Sequence, residues 1–157
     1  MSIKAIKSRA RFIAVLNAIR DLRGQGMLKP VWPSDYPSHI TLPPKDASFK
    51  NVRLYRLVEN NPPVPTDFAA SYKDPDQAHL VKYSKFSDNQ SFYGTSMFSQ
   101  KQAVQNLIES NPHRFRKKLV AYGQVEAQHG VVGKESVAKH VTVWFYDGVS
   151  PNGFVVI

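Results

Sequence analysis

The chain has 157 residues, 42% apolar and 21% charged, with no cysteine and a formal net charge of +9. That composition fits one globular domain able to bury about two-thirds of its unfolded surface, and it argues against disorder or a fibrous design. The lack of cysteine excludes a disulfide framework, a thiolate metal site and thiol chemistry, and no apolar run approaches the roughly 18–20 residues that span a bilayer.

From the N-terminus, Ile6, Ala10, Ile13, Leu16, Ile19 and Leu22 recur three or four apart, which predicts one apolar stripe of a helix over residues 4–23, ended by Gly24 and Gly26. The Phe12 to Ile19 stretch follows several cations but contains Asn17, runs into Arg20, Asp21 and Arg23, and lacks a small-x-small cleavage site. It is not read as a signal peptide, and a cytoplasmic location is expected. Lys4, Lys7, Arg9, Arg11, Arg20, Arg23 and Lys29 face Asp21 alone in the first 30 residues, leaving a charge of only +3 for the rest. Such a patch attracts phosphate backbones in a salt-sensitive way, which makes Lys4, Lys7, Arg9 and Arg11 candidate nucleic-acid contacts; a solvated helix face accounts for the same charges.

Five prolines between Pro30 and Pro44 forbid a helix interior or a central strand there. They make a connector that divides residues 1–48, a basic helix and Pro-rich segment, from a body over 49–157, the whole forming a single compact domain. Val52 to Val58 reads as a strand with Val52, Leu54, Arg56 and Val58 on one face and Arg53, Tyr55 and Leu57 on the other. Arg56 stands on an aliphatic face, so its guanidinium must find an anion or a dense set of acceptors. Asn60 to Asp76 holds four prolines and reads as a long irregular connection of the kind that often carries function.

A second strand is expected over Ser91 to Phe98, then a helix started by a Ser99–Gln102 capping box and stopped at Asn111 and Pro112. Strands follow at Leu119 to Ala127 and His140 to Tyr146, separated by a turn near Gly130 and Gly133, and a short strand Phe154 to Ile157 closes the chain. In His140 to Tyr146 the alternation sets Val141, Val143 and Phe145 on the apolar face and His140, Thr142, Trp144 and Tyr146 on the other. The order predicts an α+β fold: a mainly antiparallel sheet with an N-terminal helix and one helix packed on the sheet.

No nucleotide-binding Gly-rich loop, EF-hand or zincin helix is present, and no two of His39, His79, His113, His129 and His140 have metal-ligand spacing on a helix. Gly94-Thr95-Ser96-Met97-Phe98 lacks the second glycine of a serine-nucleophile elbow. What remains is Tyr55-Arg56 on the first body strand, Tyr93-Gly94-Thr95-Ser96 on the second and His140-Val141-Thr142 on a later one.

That order resembles the mono-ADP-ribosyltransferase and RES-type toxin group, in which an early strand carries Arg or His, a middle strand ending in Ser/Thr-x-x-Phe precedes a helix, and a later strand completes an NAD pocket. Leu54-Tyr55-Arg56-Leu57-Val58, the Pro65-Thr66-Asp67-Phe68 loop and Gly94-Thr95-Ser96-Met97-Phe98 followed by Gln102-Ala103 are also similar to a group of uncharacterised small bacterial proteins. The resemblance covers roughly residues 52–157. It implies a bacterial toxin or effector domain that uses NAD as substrate, as a glycohydrolase or ADP-ribosyltransferase. Arg56 would hold the pyrophosphate, Ser96 or Thr95 the nicotinamide ribose, and Tyr93 would stack on the nicotinamide. The later strand begins with His140, with Thr142 two residues on, where such transferases place Glu. His140 can accept a ribose hydroxyl, and Glu126 is the nearest carboxylate on the preceding strand.

Three alternatives stand beside this reading. Arg56 would serve an internal ion pair with Asp67 or Glu126. The chain would be a non-enzymatic accessory protein that binds nucleic acid through its basic arm. Or it would be a protein-interaction module from a mobile element.

Overall fold

A computed structural model describes residues 30–157 and, ahead of them, Arg11. The chain divides into two compact units, residues 1–31 and Trp32–Ile157. The second is an α+β body built on one six-stranded antiparallel sheet, strand order β4-β5-β2-β1-β3-β6. The strands are β1 Val52–Val58, β2 Thr95–Phe98, β3 Leu119–Val125, β4 Gly130–Val132, β5 His140–Phe145 and β6 Val155–Val156. Three helices join them: α1 Ser84–Ser87, α2 Lys101–Ser110 and α3 Pro112–Phe115. The helix expected over residues 4–23 lies outside the described residues.

Register assigns the faces. Leu54 and Val58 of β1, Met97 of β2, Ala121 and Val125 of β3, Val132 of β4 and Val141, Val143 and Phe145 of β5 share one side, and with Phe68 and Phe154 they form the buried core. Gly123 belongs to this side because the Phe154 ring lies where its side chain would be: a Cβ there would meet Phe154 Cδ1 at 2.5 Å. The opposite side carries Tyr55, Leu57, Ser96, Phe98, His140, Thr142 and Trp144, and α2 packs against β1 and β2 there, with Val104 fully buried.

Several boundaries differ from the sequence expectations for local reasons. The segment before β2 is a single 3-10 turn, Gln90–Tyr93, because the Asn89 side chain accepts from Ser91 N and winds the chain before Gly94 releases it into the strand. The Gly130–Val132 segment is a strand rather than a turn, paired to β5 and bridged to Ser48. Its flanking Gly133 exists for close approach, since a Cβ there would strike the Trp144 ring at 2.8 Å. The Ser99–Gln102 capping box does not form: Gln100 is the N-cap without a side-chain bond, Ser99 donates instead to Glu135, and Gln102 donates to Asn106. β5 is buried on both faces, Thr142 and Trp144 included, so it is a central strand covered on each side.

Residues 32–48 belong with the sheet. Trp32 packs its ring on Tyr146 with centroids 4.5 Å apart, and Gln90 Nε2 donates to Thr41 O at 2.8 Å. No helix among the described residues is long and apolar enough to cross a membrane.

Candidate active site

β1 and β2 share a single registered pair, Tyr55 with Phe98, and then part. Arg56 fills the opening. Its Nη1 donates to the Ser96 carbonyl at 2.8 Å, its Nε to the Asp67 carbonyl at 2.9 Å, and its Nη2 makes a long contact to the Ala69 carbonyl at 3.5 Å. Neither ion pair considered for Arg56 forms. Asp67 contributes its backbone oxygen, while its carboxylate accepts from Glu59 N, Val64 N and Asn60 Nδ2 and so closes the turn after β1. Burial lowers the guanidinium to about 10, against the opposing influence of the Asp74 and Asp67 charges, so it remains a cation at neutral pH. Of the five N–H donors of a guanidinium, three are used here, which leaves donors for a ligand oxygen.

Past this opening lies a cleft of about 340 Å³. Arg56, Ser96 and His140, far apart in sequence, all line it, with Leu57, Phe98 and Phe115 as its apolar wall. Ser96 Oγ lies 2.6 Å from His140 Nε2, and the imidazole stands edge-on to Phe98 with centroids 5.4 Å apart. Burial, reinforced by the Arg56 charge, depresses the His140 pKa below 6.5, so the ring is neutral at pH 7. Arg114 and Lys118 also line it, Lys118 Nζ paired with the Glu59 carboxylate at 2.7 Å and the Arg114 guanidinium over the Phe115 ring at 4.9 Å, and the long connection adds Asp74 and Asp76. Asp74 is tied into its own turn, accepting from Asp76 N at 2.9 Å and Gln77 Nε2 at 3.2 Å. The Asp76 side chain is exposed. A second hollow of about 420 Å³ adjoins the first, sharing Arg56, Leu57, Asp74, Asp76 and Lys118.

Four candidate residues stand elsewhere. Glu126 lies just beyond the end of β3, five positions past the Ala121 that pairs with Arg56 and therefore roughly 16 Å along the strand. Its carboxylate accepts from Gln128 and its backbone N–H donates to His129 Nδ1. It is absent from the cleft because the strand carries it away from the opening. Tyr93 and Thr95 line a separate hollow of about 200 Å³ with Tyr36, Tyr72 and Tyr146. Tyr93 donates to Ser87 O at 2.8 Å and Thr95 to Phe68 O at 2.7 Å, so their polar atoms serve the fold. Thr142 stands opposite Ser96 in the ladder but is buried, its methyl packed against Gly94. Lys4, Lys7 and Arg9 lie outside the described residues, and Arg11 is exposed.

Asp74, Asp76, Arg114, Phe115 and Lys118 complete the cleft without having been singled out as site residues. Their only signals were the proline-rich connection from Asn60 to Asp76 and the cations Arg114, Arg116, Lys117 and Lys118 ahead of β3, and neither says which strand opening the residues border. Among the described residues, no cluster of three or more His, Asp and Glu side chains has metal-binding spacing. No protein-family model, curated protein or solved structure matches the chain.

The arrangement offers the Arg56 and Arg114 guanidinium groups, a neutral hydroxyl–imidazole pair, an apolar wall and an exposed carboxylate around one space. Those elements suit a ligand with phosphates at one end and a sugar hydroxyl at the other.

Proposed function

We propose that the cleft binds NAD and breaks the bond between nicotinamide and ribose, acting as an NAD glycohydrolase or ADP-ribosyltransferase of bacterial toxin or effector type in the cytoplasm. The observation that carries this reading is the convergence of Arg56, Ser96 and His140 on one cleft, with the serine and imidazole 2.6 Å apart. The remaining donors of Arg56, with Arg114, take the pyrophosphate. The two adjoining hollows suit the two halves of a dinucleotide. Ser96 and His140 hold the hydroxyls of the nicotinamide ribose, and Phe98 and Phe115, rather than Tyr93, supply the aromatic wall.

Loss of nicotinamide develops positive charge at the ribose, which a carboxylate must stabilise. Asp76, at the cleft wall with its side chain exposed, fills the role for which Glu126 is too distant. Calorimetric titration with NAD and a nicotinamide-release assay test the reading together. Arg114→Ala weakens binding about tenfold, the loss of one charge-assisted phosphate contact. Asp76→Asn leaves binding in place and slows release by roughly a hundredfold. No heat of binding at millimolar NAD removes the proposal.

A further inference from the structure

Ser96 does more in this geometry than hold a ribose. Its hydroxyl meets an imidazole nitrogen at 2.6 Å, on a strand held from behind by Arg56, and both groups open onto the same cleft. A hydroxyl within hydrogen-bond reach of a neutral imidazole is the arrangement that makes serine a nucleophile. The electrophile expected in this cleft, a ribose carbon losing nicotinamide, reacts even with weak nucleophiles. A hydroxyl already fixed beside it outcompetes water by the advantage of an intramolecular reaction.

Resting on the NAD reading, we propose that the protein transfers ADP-ribose to its own Ser96 and thereby closes its cleft. Ser96 Oγ bonds to C1′ of the nicotinamide ribose as the C1′–N bond breaks. The electron pair of that bond passes to the ring nitrogen and leaves neutral nicotinamide. The serine proton moves to His140 Nε2, and the imidazolium, unfavourable beside the Arg56 guanidinium, releases it to water. The product is an O-glycoside on Ser96 that occupies the ligand's own site, so the activity is self-limiting.

Intact-mass analysis of the full chain after incubation with NAD tests this, with calorimetry on the same samples. The expected result is a gain of one ADP-ribosyl group, mapped by peptide fragmentation to Ser96, with nicotinamide release stopping as the adduct accumulates. Ser96→Ala leaves the Ser96 carbonyl and the Arg56 contact intact and forms no adduct. At saturating NAD, His140→Gln forms the adduct at least about a hundredfold more slowly. Nicotinamide release that continues through many turnovers on unmodified protein, or an adduct on another residue, overturns the self-transfer and leaves the NAD reading standing. Absence of NAD binding overturns both.

Discussion

Ser96 and His140 meet diagonally across adjacent strands. In the β2–β5 ladder Ser96 stands opposite Thr142 and His140 opposite Phe98, and the imidazole reaches back along the sheet face to place Nε2 2.6 Å from the serine hydroxyl. Diagonal neighbours on one face are normally about 7–8 Å apart at the backbone, so only a long side chain closes the gap. The contact therefore depends on register: a shift of one residue would move either group to the other face.

This pair sets a pH dependence. The His140 pKa is lowered by burial and by the nearby Arg56 charge, so the folded protein binds fewer protons there than the unfolded chain. Stability from this group is fully present above about 6.5 and declines as pH falls from there through the folded-state pKa. The nicotinamide-release rate should hold through pH 6.5 and fall only under more acidic conditions. NMR titration of the His140 ring locates the transition. A midpoint at or above 6.5 contradicts the geometry, and His140→Gln should flatten the stability profile over the same window.

Arg56 should tolerate no conservative replacement. Its planar fork donates to three carbonyls in two segments, Asp67 and Ala69 in the turn after β1 and Ser96 in β2, and a lysine ammonium cannot match those directions. Arg56→Lys is expected to destabilise the fold by roughly 2–4 kcal/mol, read as a lower urea midpoint with an unchanged slope. A loss of NAD affinity with no change in midpoint would show that the guanidinium serves only a ligand.

Asp67 governs stability in acid. Burial alone would raise its pKa, but the bonds from Val64 N, Glu59 N and Asn60 outweigh burial and hold the carboxyl below 3.8. Its contribution is present above the unfolded carboxylate range and is lost as pH falls through the folded value. Asp67→Asn should reduce stability at pH 7 by about 2 kcal/mol and by less at pH 3, measured by denaturant titration at each pH. An equal loss at both would mean that the charge contributes nothing.

Gly123→Ala tests the packing of the C-terminal segment. The added methyl would lie 2.5 Å from the Phe154 ring and 2.8 Å from its Cα, and that ring is itself packed edge-on against Phe68 at 5.0 Å between centroids. Backbone as well as ring must shift, so a loss of roughly 1–3 kcal/mol is expected in thermal or urea unfolding. A neutral effect would show that the segment after Gly148 yields freely.

Much of the sheet was legible in the chain. Period-two alternation identified β1 and β5 and put Leu54 and Val58, and Val141, Val143 and Phe145, on the core side, although β5 is covered on its other face as well. The anomaly of Arg56 was equally plain, since a guanidinium among aliphatic residues requires partners wherever the chain goes. β4 was not legible: a glycine at each end reads locally as a turn, and the need for those glycines arises from Trp144, eleven or more residues away.

The site divides the same way. Sequence by itself determined that Arg56 would stand on an aliphatic face and His140 on the polar face of its strand, because alternation and the expense of burying charge are local properties. Which acceptors Arg56 found, and that Asp76 rather than Glu126 reached the cleft, depended on where β1 and β2 part. Strand separation is set by long-range pairing, which the residues bordering the opening do not reveal locally.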